Sequence, residues 1–330
     1  MGYWQKAPYG KSELKSAIQK YIRRAEVEKA QFVGYLMGSH GDAFPRRIPM
    51  IAAEDVRWEY TEPTIRLVKS LDKEPDLFNP ESVDRPGMMA AIAGWLAGVQ
   101  VKSRDMASLM GMARDSLERE PFCGFQRENS NNENYWRDCL TQTDEIEAAR
   151  FLLTAYDTTD KNLAWYMAVK IGSQMEVAPD VLAMNYRHQT GLFYNDDKIM
   201  LMGVLMAIRH GKRIPVTGWQ DLKPIKPTKA YPLDWYCFDK HTGIGKRAYG
   251  YLKAKGVDIE GLDMVQFFCE SSKMGPQTDD RITPDYVRSK HLAYGSWERT
   301  KEVWEKDLRG KVKMAIEKIM AQSYIQPTLS

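Results

Sequence analysis

The sequence predicts an all-α protein, a multi-helix bundle continued by a helical C-terminal extension. Three observations predict it. Apolar residues recur at three-and-four spacing along most of the chain. No stretch alternates apolar and polar residues between hairpin turns. Residues 88–99 are almost continuously small and apolar, and Gly94 and Gly98 permit close helix contact.

The elements follow in order. Leu14, Ala17, Ile18, Tyr21, Ile22 and Ala25 form the apolar stripe of a first amphipathic helix, with Ser16, Lys20 and Arg23 on the opposite side and Arg24 flanking. Pro45 opens a second element whose apolar run ends at Glu54-Asp55. Met106, Leu109, Met110, Ala113 and Leu117 mark a further helix, and residues 122–134 read as an asparagine-rich loop. Thr143 is the expected N-cap of the next helix, with Asp144 and Glu145 in its first turn. Residues 163–171 and 198–208 read as buried helices, with Met200, Met202 and Met206 as core packing. Pro215, Pro224, Pro227 and Pro232 stand among lysines and make residues 214–232 a surface connector. A charged helix anchored by Trp297, Val303, Trp304 and Leu308 closes the chain. Three regions are expected: 1–121, 122–213 and 214–330.

Composition narrows the function classes. With 330 residues, 43% hydrophobic and 28% charged, the chain can bury a full core. A net charge of +3 does not announce a nucleic-acid binder, so any basic surface must be local. No apolar run reaches membrane-spanning length, and residues 1–11 lack a signal core, so no membrane partner and a cytoplasmic location are expected. Cys123, Cys139, Cys237 and Cys269 are widely spaced and should stay reduced, and neither a metal nor another cofactor is expected.

The densest chemistry lies in Asp239-Lys240-His241-Thr242-Gly243-Ile244-Gly245-Lys246-Arg247. A turn with free backbone N–H groups and cations, next to an isolated carboxylate, suits contact with a phosphodiester chain. Asp239 could equally cap a helix, with His241 an ordinary surface or core histidine. Lys246 is also a conceivable Schiff-base lysine.

Two family resemblances give these residues roles. Residues 17–24 (AIQKYIRR), 46–56 (RRIPMIAAEDV) and 93–103 (AGWLAGVQVKS) resemble the non-ATPase, C-terminal region of the replication-associated recombination ATPases, the RarA/MgsA group of clamp-loader-like AAA+ proteins. That resemblance implies an all-α, collar-like first domain, able to oligomerise. The chain departs from the group in lacking a G-x-x-x-x-G-K-[ST] phosphate loop. Asp239-Lys240-His241-Thr242, ending in Lys246-Arg247, resembles the D-x-H-[VT]-x-R-x-x-x-R run of helix-hairpin-helix DNA glycosylases, although Tyr231-Pro232-Leu233-Asp234-Trp235 replaces their Gly/Pro-rich hairpin.

The second resemblance implies a monofunctional DNA glycosylase that hydrolyses an N-glycosidic bond and leaves an abasic site. Asp239 would be the catalytic carboxylate and His241 its assistant. Trp235, Tyr236 and Phe238 would hold a flipped base. Thr242, Gly243, Gly245, Lys246 and Arg247 would hold DNA phosphates, joined by Arg23, Arg24, Arg46, Arg47, Lys102 and Arg104 as one basic surface. Excision of phage-modified bases in antiviral defence is the setting such an enzyme suggests. The other reading is a non-catalytic DNA-binding or oligomerisation module related to the collar, with Asp239 structural. Glu54-Asp55 reads either as a structural pair bonded to Arg46 or Arg47 or as carboxylates in a cleft.

Overall fold

The computed structural model describes residues 9–38, 43–73, 84–100, 102–120, 122, 124–159, 161–189, 197–211, 215–257, 261–275 and 296–323. These residues are helical through most of their length and contain no strand, as the periodicity predicts. The helices are α1 (Lys11–Arg23), α2 (Val27–Gly38), α3 (Ala43–Ile51), α4 (Thr61–Lys73) and α5 (Arg85–Ala97). They continue with α6 (Asp105–Arg119), α7 (Glu133–Thr141), α8 (Glu145–Thr158), α9 (Lys161–Gly172), α10 (Ala178–Gln189) and α11 (Asp197–His210). After the connector come α12 (Gly243–Ala254), α13 (Leu262–Gln266), α14 (Trp297–Val303) and α15 (Arg309–Ser323). None of the described helices is long and apolar enough to cross a membrane.

The side chains gather into two cores. One joins α1 to α5 with residues 233–252, 262–269 and 304–319, around Tyr21, Phe238 and Trp304. The other joins α6 to α11 around Trp136, Phe151 and Trp165, with Met50, Ala53 and Trp58 reaching into it. Core membership cuts across the three stretches read from the sequence. Helix α6 lies in 1–121 yet packs with 122–213, while 214–330 returns to pack on the first five helices.

Small residues set the closest approach, which brings α2 against α5. A Cβ at Gly34 would stand 2.7 Å from the Met89 carbonyl oxygen, and one at Gly38 would stand 2.5 Å from Pro86 Cα. Helix α11 is buried from Ile199 to Ile208, including Met200, Met202 and Met206, so it forms the centre of the second core.

Local chemistry moves two expected boundaries. The N-cap of α8 is Asp144 rather than Thr143: its carboxylate accepts the N–H groups of Ile146 and Glu147 at 2.9 and 3.0 Å. Thr143 instead donates back to the Cys139 carbonyl at 2.7 Å. The expected loop 122–134 ends in the start of α7, capped by Asn132.

Helix α3 does not simply stop after Pro49. It widens into a π-helical turn, Ala52–Val56, closed by the Arg57 N–H on the Ala52 carbonyl at 3.0 Å. Such turns alter the angular spacing of side chains and often occur at functional sites. This one carries Glu54 and Asp55.

Candidate functional site

Asp239 lies just before α12, where the chain turns tightly. The Thr242 hydroxyl donates to the Asp239 carbonyl at 2.8 Å and accepts the Gly245 N–H at 3.0 Å, which makes Thr242 the N-cap. A Cβ at Gly245 would sit 1.8 Å from the Asp239 carbonyl oxygen, so glycine is required there by close approach. The His241 N–H donates to Asp239 Oδ1 at 2.9 Å. The His241 ring is 73% exposed, with Nδ1 3.3 Å from the same oxygen.

The other carboxylate oxygen faces α1. Lys20 Nζ donates to Asp239 Oδ2 at 2.6 Å, to the Ser16 hydroxyl at 2.7 Å and to the Cys237 carbonyl at 3.2 Å. The ammonium is buried, whereas the carboxylate keeps 18% of its exposure. Burial works to raise the Asp239 pKa, but the Lys20 charge and hydrogen bond outweigh it and hold the carboxyl below its ordinary value. For Lys20, burial wins over Asp239 and lowers the pKa.

One helical turn further along, the same face of α1 meets the π-helical turn. Arg23 Nε donates to Asp55 Oδ1 at 2.7 Å, and its Nη1 donates to the Ser271 carbonyl. Gln19 donates to Asp55 at 2.7 Å and to Glu54 at 3.3 Å, and its carbonyl accepts from Arg47 at 2.6 Å. Arg104, before α6, donates to Glu54 at 3.3 Å and lies 3.5 Å from Asp55.

The two neighbouring carboxyls diverge. Burial and the Asp55 charge raise the Glu54 pKa; for Asp55, Arg23 and Arg104 outweigh burial and lower it. Opposite displacements in adjacent acids are a common arrangement where one group must stay ionised and another must carry a proton.

The expected site residues therefore separate. Asp239, His241, Thr242 and Gly245 come together in one turn. Arg23 and Arg104 gather on the Glu54-Asp55 pair, and Arg47 joins it through Gln19, so they form an inward ionic cluster instead of an exposed basic surface. Lys102 is also buried: its ammonium donates to the Ala97 and Val99 carbonyls at the C-terminal end of α5. That is a favourable place for a cation. Burial lowers its pKa to about 8. The Arg46 side chain lies outside the described residues.

Arg24 bonds Glu270 at 2.8 Å and stacks 3.8 Å from the centre of the Tyr236 ring. Tyr236 is buried and donates to Glu26 and Asp234, and Phe238 is fully buried; only Trp235, of the three expected base-holding aromatics, is half-buried. Tyr236 and Phe238 thus fill core rather than line an opening. The Gly243 N–H, expected on a phosphate, donates to Glu13 Oε1 at 3.1 Å. Lys246 and Arg247 are exposed, and Arg247 donates to Ser323 at 2.7 Å.

Helical spacing alone places Lys20 and Arg23 opposite the apolar stripe of α1 and gives neither a role beside a carboxylate. Their signal was the run Ser16, Gln19, Lys20 and Arg23, a polar face at helical spacing on a helix later covered on both sides. Among the described residues no cluster of acidic, histidine and cysteine side chains could hold a metal, and Cys139, Cys237 and Cys269 are free thiols. Cys123 lies outside them.

Positive charge is local in the sequence. Residues 198–256 hold twelve lysines and arginines and three aspartates, which leaves 35 and 41 in the remainder of a chain with 47 and 44. Asp239 thus lies within the most basic region, among exposed Lys223, Lys226, Lys229, Lys240, Lys246, Arg247, Lys253 and Lys255. No protein-family model, no curated protein and no solved structure matches the chain.

Proposed function

We propose that the chain is a DNA-acting enzyme, concretely a monofunctional glycosylase that hydrolyses the N-glycosidic bond of a modified base and leaves an abasic site. The observation that carries this reading is Asp239: a part-exposed carboxylate, held ionised by a buried ammonium, beside an exposed histidine in the chain's most basic region. As the base departs, positive charge grows on the deoxyribose, and a fixed anion stabilises it. Glu54, whose pKa burial and the Asp55 charge raise and which keeps partial exposure, suits the proton transfer that activates water. Buried Lys20 holds Asp239 in place and Arg104 holds Glu54, while Arg23 fixes the neighbouring Asp55. Excision of bases found in phage genomes but not in host DNA is the antiviral role that fits such an activity.

The second reading is a non-catalytic DNA-binding or oligomerisation module, related to the collar of the recombination ATPases. It is favoured by the burial of Tyr236 and Phe238 and by Glu13 on the Gly243 amide. Plasmid, uracil-containing and phage-modified DNA, incubated with the protein and then treated with alkali, separate the two. Strand breaks that disappear in Asp239→Asn support the enzyme. DNA binding without breaks on every substrate supports the module.

A further inference from the structure

We infer that the groove between α4 and α10 binds a single-stranded stretch of nucleic acid, stacking a base on Trp219. The biological part of this inference rests on the reading of the chain as DNA-acting; the binding itself does not. The groove has a volume of about 780 Å³ and lies at the seam between the two cores. Ile65, Arg66 and Lys69 on α4 form one wall, and Pro179 and Leu182 on α10 form the other. Trp219, from the proline-rich connector, completes it. Clefts at such seams are favoured places for ligands.

Three features select the occupant. First, the apolar surface is open: Leu182 is 51% exposed, one of few large apolar side chains so exposed among the described residues. Second, Trp219 is presented by a pinned backbone. The Trp95 indole donates to the Thr217 carbonyl at 3.1 Å, the chain turns at Gly218 with φ of +78°, and the Ile225 N–H donates to the Gly87 carbonyl at 3.0 Å. A pre-set aromatic face loses little freedom on stacking.

Third, cations accompany the apolar walls. Arg66 is exposed beside its partner Glu62, Lys69 is half-buried, and exposed Lys223, Lys226 and Lys229 follow Trp219, with Asp221 as the acid among them. Flat apolar faces joined by a regularly charged backbone are the chemistry of an unpaired strand. An acidic peptide brings the charge without a stacking face at each repeat. Helix α4 begins six residues after Asp55, so the groove wall and the ionic cluster belong to one stretch of chain.

The test is fluorescence anisotropy of a labelled oligothymidylate with the full chain at low salt. Trp219→Ala and Leu182→Glu should each weaken binding about tenfold, the scale of losing one stacked base. Trp219→Phe should recover most of the affinity. Position 182 is exposed, so Leu182→Glu decides the matter even if Trp219→Ala folds poorly. Unchanged affinity in Leu182→Glu and Trp219→Ala overturns the assignment, as does poly-glutamate binding with equal affinity and the same Trp219 dependence. Loss of oligonucleotide binding in these variants, alongside a wild-type chain that releases no base, would sustain the groove and sink the glycosylase. Intact binding alongside base release would do the reverse.

Discussion

Replacing Asp239 by asparagine tests whether its carboxylate is held as the structure indicates. Asparagine can still accept the His241 N–H, but it cannot neutralise Lys20, which is 3% exposed. Removing one partner of a buried ion pair costs about 3–5 kcal/mol. Two features reduce that here. Asp239 retains partial exposure, and Lys20 keeps the Ser16 hydroxyl and the Cys237 carbonyl as acceptors. The expected loss is therefore about 2–3 kcal/mol.

Urea denaturation at pH 7 measures it as a lower midpoint with unchanged slope. Combining Asp239→Asn with Lys20→Met removes the stranded charge, and the pair should recover about 2 kcal/mol of coupling. The sign with pH follows from the lowered Asp239 pKa. Its stabilisation is fully present above the unfolded value of roughly 3.9 and is lost as pH falls through the lower folded value. A loss below about 0.5 kcal/mol in Asp239→Asn at pH 7, with no coupling to Lys20→Met, would refute the reasoning, because such a loss is within the range of ordinary surface substitutions.

Three further outcomes are expected. Thr242→Val removes the α12 cap and leaves the Gly245 N–H unpaired in a buried position, at about 1–2 kcal/mol by urea midpoint, and Thr242→Ser should restore most of it. Gly245→Ala forces a Cβ against the Asp239 carbonyl and should destabilise by about 1–3 kcal/mol while displacing the carboxylate, so both stability and any activity fall. Lys102 has a folded pKa of about 8, below an unfolded value of roughly 10.4, so wild type should gain stability relative to Lys102→Met as pH rises between them. Urea midpoints at three pH values across that window check the sign.

The bundle was legible because helical periodicity reports which face meets a core, and it did so for α1, α6, α8, α9 and α11. The Thr242 turn was legible too, since Thr-Gly-x-Gly followed by cations reads as a helix start. What periodicity cannot report is whether the polar face of an amphipathic helix stays wet. In α1 that face is covered twice, by residues 237–239 on Lys20 and by the π-helical turn on Arg23. Both partners lie far along the chain or in a non-standard turn, so the spacing of Ser16, Gln19, Lys20 and Arg23 read as solvent contact. Trp235, Tyr236 and Phe238 misled for the opposite reason. An aromatic cluster beside an acid resembles a base pocket, yet Tyr236 packs on Tyr21 of α1 and bonds Glu26, and Phe238 is buried in the same core.

The central claim is that the ionised Asp239 carboxylate, with Glu54 assisting, acts on a glycosidic bond. The most direct measurement is release of free base from phage-modified DNA, read by mass spectrometry for wild type, Asp239→Asn and Glu54→Gln. The account predicts base release by wild type and loss in both variants at temperatures where they remain folded. Wild type that binds the DNA and releases no base, or variants that release it at the wild-type rate, would contradict it.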